Sequence, residues 1–168
     1  EKITNLKLFH NHMTIDLVAP FFSYNSEVGK KLVHSFRMQI FEEVANSDLE
    51  GLIFTYVMNY DEEEEWEYLD RIQNIFKKQN AQIYYVELEA DLEERLKRNR
   101  TENRMKNKPT KRDIEVSEQR VLGAETKHRQ NSYPKEVENK GYSNYFKINN
   151  TKLSAEEVAK QIKEKWNL

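Results

Sequence analysis

The least ordinary polar residues of this chain are two histidines one residue apart, His10 and His12, in the tripeptide His10-Asn11-His12. Neutral imidazoles can ligate a metal or hydrogen-bond a polar ligand. In an extended segment both rings would point to the same face. A zinc site would need a third ligand, and the sequence nominates none, so no metal site is assigned. Contact of His10, Asn11 and His12 with a polar substrate and a hydrogen-bonded polar turn both fit the pattern.

Arg37 interrupts an apolar helical segment at Phe36-Arg37-Met38. A cation beside a core stripe can simply snorkel. A guanidinium can also hold a substrate carboxylate or phosphate with two parallel hydrogen bonds. Further along, Arg95, Lys97, Arg98, Arg100, Arg104, Lys106, Lys108, Lys111 and Arg112 crowd one segment against Glu102 alone. Such a run is commonly a solvated face. Its low apolar content and Pro109 also suit a mobile loop that closes over polyphosphate and excludes water. A nucleic-acid contact is the competing reading, but no aromatic residues are interleaved with the basic ones, and the lid is preferred. Asp61 could lie near magnesium, although capping of the following helix accounts for it. The run 62–65 matches no EF-hand spacing and reads as the exposed start of a helix.

The elements that would position these residues alternate between strand-length apolar runs and helical periodicity. Strands are expected at 6–10, 51–57 (GLIFTYV), 82–88 (QIYYVEL) and 145–148, and a connection with a short helical turn over 11–25. Helices are expected at about 27–46, capped by Ser26, at 61–77, at 91–106, at 113–130 and from 154 onward. The first helix carries an apolar stripe of Val28, Leu32, Phe36, Ile40 and Val44, widened by Val33 and Phe41. Asp61 with Glu64, and Ser154 with Glu157, have capping-box spacing. Residues 134–143 read as loop. Buried-type strands alternating with helices predict an α/β parallel sheet in one domain over 1–168. Ligands of such sheets bind beyond the carboxyl ends of the strands, which selects residues 10–12, 58–61, 89–91 and 149–151.

Composition narrows the classes. With 168 residues, one core is affordable. The 27 basic and 29 acidic residues give a formal charge of −2 and no global pull toward nucleic acid or membrane. Absence of cysteine excludes disulfides, thiolate metal sites and cysteine catalysis. No apolar run is long enough to span a bilayer, no signal peptide is visible, and a soluble cytoplasmic protein is expected. The chain begins at Glu1 rather than methionine, so the expectation is that a segment was removed or precedes it.

The Phe36-Arg37 helix, the strand and helix Val86-Glu87-Leu88-Glu89-Ala90…Glu94-Arg95-Leu96…Arg98, the basic segment after it, and the ending Ile148-Asn149-Asn150-Thr151…Ser154…Glu157-Val158…Ile162 resemble, in order and spacing, the P-loop kinases of small molecules. Shikimate kinase-like and gluconate kinase-like proteins are the nearest in pattern. The resemblance implies a three-layer parallel sheet flanked by helices and ATP-dependent phosphoryl transfer, with Mg2+, to a hydroxyl of a small polar metabolite. It also implies residue roles. Arg98 would lie along the adenine, and Asn149, Asn150 and Thr151 would belong to an adenine-side loop at about 149–153. Arg104, Lys111 and Arg112, in a lid at about 98–112, would contact phosphates. Arg37 would hold a substrate carboxylate. Two positions depart from the shikimate kinase pattern. Ile40 stands where a glutamate is expected, and His10-Asn11-His12 replaces acidic residues, so shikimate itself is not implied.

The family's phosphate loop, GxxxxGK followed by Ser or Thr, does not occur in this sequence. The single Gly-Lys, Gly29-Lys30, has Tyr24 and Lys31 at the other defining positions and falls within a helix. In the family that loop follows the middle strand of the sheet. Without it the strands at 51–57 and 82–88 lose a shared neighbour, and the expectation is that roughly 20–25 residues, about one strand, loop and helix, are missing from this sequence. Three functions are carried forward in order: a small-molecule kinase, a non-catalytic nucleotide- or metabolite-binding relative lacking the loop, and a nucleic-acid module working through 95–112. The catalytic base is not identified, Asp16 and Asp61 being the two acids considered. The oligomeric state is not read from sequence.

Overall fold

The computed structural model describes residues 2–168. Strand β1 (Lys7–His10) runs parallel to β2 (Leu52–Thr55), with Phe9 opposite Phe54. Strand β3 (Tyr85–Glu89) runs parallel to β4 (Tyr145–Asn149), with Glu87 opposite Lys147. The two pairs form separate two-stranded sheets, and β2 does not pair with β3. A single continuous sheet is therefore not what the described residues make.

The helices are α1 (His12–Val18), α2 (Glu27–Ala45), α3 (Glu63–Lys77), α4 (Leu92–Asn99), α5 (Glu102–Asn107), α6 (Ile114–Lys127), α7 (Glu136–Asn139) and α8 (Ala155–Trp166). Capping explains several of these boundaries. Ser26 accepts from Gly29 N–H at the start of α2, and Ser154 with Glu157 closes both arms of a capping box before α8. The helix expected over 91–106 is two, because the Thr101 hydroxyl accepts Arg104 N–H and caps a second start. A short helix, α7, stands within the expected loop at 134–143.

Two readings of detail are corrected. The expected Asp61–Glu64 box is not formed: Glu62 is the cap residue and makes no side-chain cap bond, while Asp61 accepts Arg129 N–H at 2.9 Å. In α2 the buried face is Gly29, Val33, Arg37 and Phe41, one residue out of phase with the expected stripe; Val28 and Ile40 are exposed. The two residues taken as widening that stripe are its core.

The first cluster joins Phe9, Phe41, Tyr68 and Ile72, with Phe54 held edge-on to Phe41 at 4.9 Å between ring centres. The second joins Trp66, Val137 and Tyr142 with Met58, Tyr85 and Tyr145 around it. Helix α3 contributes to both. Trp166 of α8 covers Tyr84 and Phe146 beside the β3–β4 pair, while Val86 and Leu88 of β3 stay exposed.

Glu87 is the buried charge of this half. It accepts from Ser132 N–H (3.0 Å) and Oγ (2.7 Å), Asn131 Nδ2 (2.9 Å) and Tyr145 OH (2.6 Å), with Lys147 Nζ at 3.1 Å. Burial alone would raise its pKa, but the hydrogen bonds from Tyr145, Ser132 and Asn131 outweigh it and hold the carboxyl at about 2. Its contribution to stability is present above the ordinary carboxylate range and lost as pH falls toward about 2.

Two measurements check this architecture. Glu87→Gln removes the charge from a fully engaged acceptor and is expected to lower unfolding free energy by about 2–3 kcal/mol in urea titration. In a strand with one free edge, successive N–H groups point alternately to the partner and to the open side. Hydrogen exchange along β2 and β3 is therefore expected to alternate between protected and fast amides; uniform protection would mean a further strand is paired there.

Candidate functional site

The turn leaving β1 is built from below by Arg37. Its Nε donates to Thr14 Oγ1 and its Nη2 to the Asn11 carbonyl, each at 3.0 Å, and the guanidinium lies 5.9 Å from the Phe54 ring centre. Arg37 is buried, as are Thr14 and His12. The residue selected from sequence as a substrate ligand thus spends two of its nitrogens on holding the His10-Asn11-His12 turn in place. Near it stand Glu65 and Tyr68. Burial raises the Glu65 carboxyl, against the opposing hydrogen bond from Tyr56 OH at 2.9 Å. Burial likewise raises the Tyr68 hydroxyl.

Above the turn lies the basic segment. A 3-10 turn at Pro109–Lys111 brings Thr110 against α1. Its hydroxyl donates to Asp16 Oδ1 at 2.6 Å, and its backbone N–H points to the same oxygen at 3.3 Å. The Thr110 hydroxyl is also 3.2 Å from His12 Nδ1, and Asp16 Oδ2 lies 3.7 Å from that nitrogen. His12 and Asp16 share a face because they are four residues apart on α1.

The electrostatics of this junction are one-sided. Burial, then the nearby Lys108 charge, lowers His12 to about 4, so the ring is neutral at neutral pH. The same two causes lower His10, whose Nδ1 is buried without a partner. Burial, followed by repulsion from Arg120, Arg104 and Lys108, lowers Lys111 to about 8. Lys108 is lowered by burial and by Arg104, and Arg104 by burial, with its Nε unpartnered among the described residues. Asp16 is the single acid that opposes these shifts. Partly desolvated cations with one counter-charge form a place where an anion is favoured.

Of the residues chosen from sequence, His10, Asn11, His12, Arg104 and Lys111 converge here. Arg112 does not take part; it turns back to donate to the Met105 carbonyl. Arg98, Asn149, Asn150 and Thr151 form a second group. Arg98 donates to Asn150 Oδ1 (3.0 Å) and the Asn150 carbonyl (2.7 Å), while its Nε pairs with Glu94 (2.8 Å). Thr151 Oγ1 accepts Asp91 N–H, which ties the loop after β4 to the end of β3. Sequence reading left out Thr110, which belongs to neither charge nor histidine pattern. It counted Lys108 only as part of the basic run. The four-residue spacing of His12 and Asp16 was the available signal for their pairing.

No family model matches this chain, and comparisons with curated proteins and with solved structures find no match. Among the described residues, no helix is long and apolar enough to cross a membrane.

The lowered His12 has a measurable consequence. Between about pH 6.5 and about pH 4 the unfolded chain binds a proton at this residue that the folded chain refuses, so stability falls as pH falls through that window. His12→Gln is expected to flatten the dependence over that range by close to one proton, read from urea midpoints at several pH values. An unchanged slope would show that the ring is not desolvated.

Proposed function

We propose that this chain is a phosphate-handling domain that works in ATP-dependent phosphoryl transfer to a hydroxyl of a small polar metabolite. The observation that carries the reading is the seating of Thr110 on Asp16 and His12, which brings Lys108 and Lys111 to those two residues with Arg104 beside the lysines, all three cations partly desolvated and short of counter-charge. Such cations neutralise the charge of a polyphosphate, and phosphoryl transfer is catalysed chiefly by positioning and charge neutralisation. The resemblance to small-molecule kinases supports the same reading.

The residues present fit that ligand. The unpartnered Arg104 Nε and the depressed Lys111 would both be relieved by an anion. When bound, ATP with Mg2+ would supply the phosphoryl group. Arg104, Lys108 and Lys111 bind its charge, and their segment excludes water when seated on α1. Neutral His10 and His12 offer hydrogen bonds to a polar acceptor, and Arg37 orients the turn that carries them. Asp16, which accepts a hydrogen bond from the Thr110 hydroxyl, is the acid of this junction that would take up the acceptor's hydroxyl proton. Arg98 holds the 149–151 loop as a platform for the base.

Calorimetric titration of the 168-residue protein with Mg·ATP, and separately with tripolyphosphate, tests the reading. Both are expected to bind. Lys111→Ala and Arg104→Ala should each weaken binding by about 10-fold or more, as loss of a charge-assisted hydrogen bond implies. Raising the pH from about 7 to about 9 should weaken binding to the parent more than to Lys111→Arg, because the parent lysine loses its proton in that range. If neither ligand binds, the reading is wrong. If duplex DNA competes with a steep salt dependence, the basic segment serves nucleic acid instead. Binding of ATP with no phosphoryl transfer to any acceptor would leave a non-catalytic nucleotide binder.

A further inference from the structure

Away from the phosphate-handling junction, the loop after β2 and the end of α6 bring Asp61, Glu62 and His128 together, with one ligand atom from each within 4.8 Å of the others. We propose that these three side chains bind a divalent transition-metal ion of the zinc and cobalt class. The spacing is the first argument. His128 Nδ1 lies 3.2 Å from Glu62 Oε1 and 3.6 Å from Asp61 Oδ2. Ligands at zinc-like bond lengths of about 2.0–2.1 Å in a tetrahedron stand about 3.3 Å apart. An ion can therefore be seated with little movement of the ligands.

Bracing is the second argument. Asp61 Oδ1 is held by Arg129 N–H at 2.9 Å, which leaves Oδ2 turned to His128. Arg129 is fixed in turn: its carbonyl accepts Tyr60 N–H (2.8 Å) and its Nη2 donates to the Tyr60 carbonyl (3.1 Å). The two chain segments that supply the ligands are thus cross-linked immediately beside them, as metal ligands commonly are by surrounding hydrogen bonds. The third argument is the imidazole itself. His128 Nδ1 is shielded from solvent and faces the two carboxylates without a well-formed hydrogen bond to either.

The donor set selects the ion. Magnesium and calcium prefer all-oxygen shells, whereas one imidazole with two carboxylates suits zinc or cobalt. The two carboxylates neutralise the ion's charge. Because Asp61 and Glu62 are exposed, the fourth position faces solvent.

Chelator-treated 168-residue protein, titrated with Zn2+ by calorimetry and with Co2+ by visible absorption, tests the assignment. One ion per chain is expected, with a dissociation constant on the order of micromolar and visible bands typical of low-coordinate cobalt. His128→Ala should weaken binding by roughly 10–100-fold. Asp61→Asn, which keeps an oxygen for Arg129 N–H, should weaken it comparably, while His34→Ala should bind as the parent does. Far-ultraviolet circular dichroism confirms that each variant is folded. The proposal is overturned if the parent takes up no stoichiometric ion, or if His128→Ala and Asp61→Asn both bind as tightly as the parent. In that event the three groups are a surface polar cluster and nothing more.

Discussion

Two strand pairs that share no ladder must be joined by side chains, and helix α3 is the element that joins them. Tyr68 and Ile72 on it pack into the aromatic cluster over β1 and β2, while Trp66 and Leu69 pack against residues of β3, β4 and α7. Polar contacts follow the same division. Asp70 accepts from Tyr142 OH at 2.7 Å and Gln73 accepts from Tyr85 OH at 2.8 Å, both reaching into the second half. Arg129 adds a second tie. It lies 4.0 Å from the Tyr133 ring centre, makes paired bonds to Glu136 and reaches back to the Tyr60 carbonyl. Burial of aromatic area and a few desolvated hydrogen bonds thus do what a continuous sheet would do with backbone pairing.

The junction between the histidine turn and the basic segment inherits its position from this arrangement. Thr55 ends β2 beside His10, and Asn11 N–H donates to the Thr55 carbonyl, so the histidine turn is registered on the first sheet. Arg37 fixes it from the core side, where a guanidinium is tolerated because Thr14, the Asn11 carbonyl and the Phe54 ring receive it. Burial on this floor, and after it the mutual repulsion of the basic residues gathered there, is why Lys111 is depressed.

Much of this was legible from residue patterns, and the failures have identifiable causes. Ser26 and Ser154 marked helix starts correctly because a capping oxygen is a local device. The α2 stripe was misphased because hydrophobicity alone ranks Val28 and Ile40 above Arg37; only tertiary partners make Arg37 an inside residue and leave Ile40 exposed. Sequence alone makes Asp61 a cap for the same kind of reason. Its actual partner, Arg129 N–H, is 68 residues away and leaves no local signature. Thr110 was invisible because its importance comes from where the chain returns, not from its type.

The same facts bear on how the basic segment could move. Neither α5 nor the 3-10 turn after it contains a buried residue. What holds them to α1 is the Thr110 clasp on Asp16 and His12, two or three hydrogen bonds with a net value of about 1 kcal/mol each. Against that stands repulsion among Arg104, Lys108 and Lys111, which weakens the seated state whenever no anion is present. A segment with no fully buried residue, held to α1 by a few hydrogen bonds and opposed by its own charge, belongs to the low-stability end of a fold. An anion bound to the seated cations, as proposed, would remove that repulsion and leave the clasp intact. Under the proposed function, ligand binding and closure would be one equilibrium, set by charge rather than by any hinge sequence.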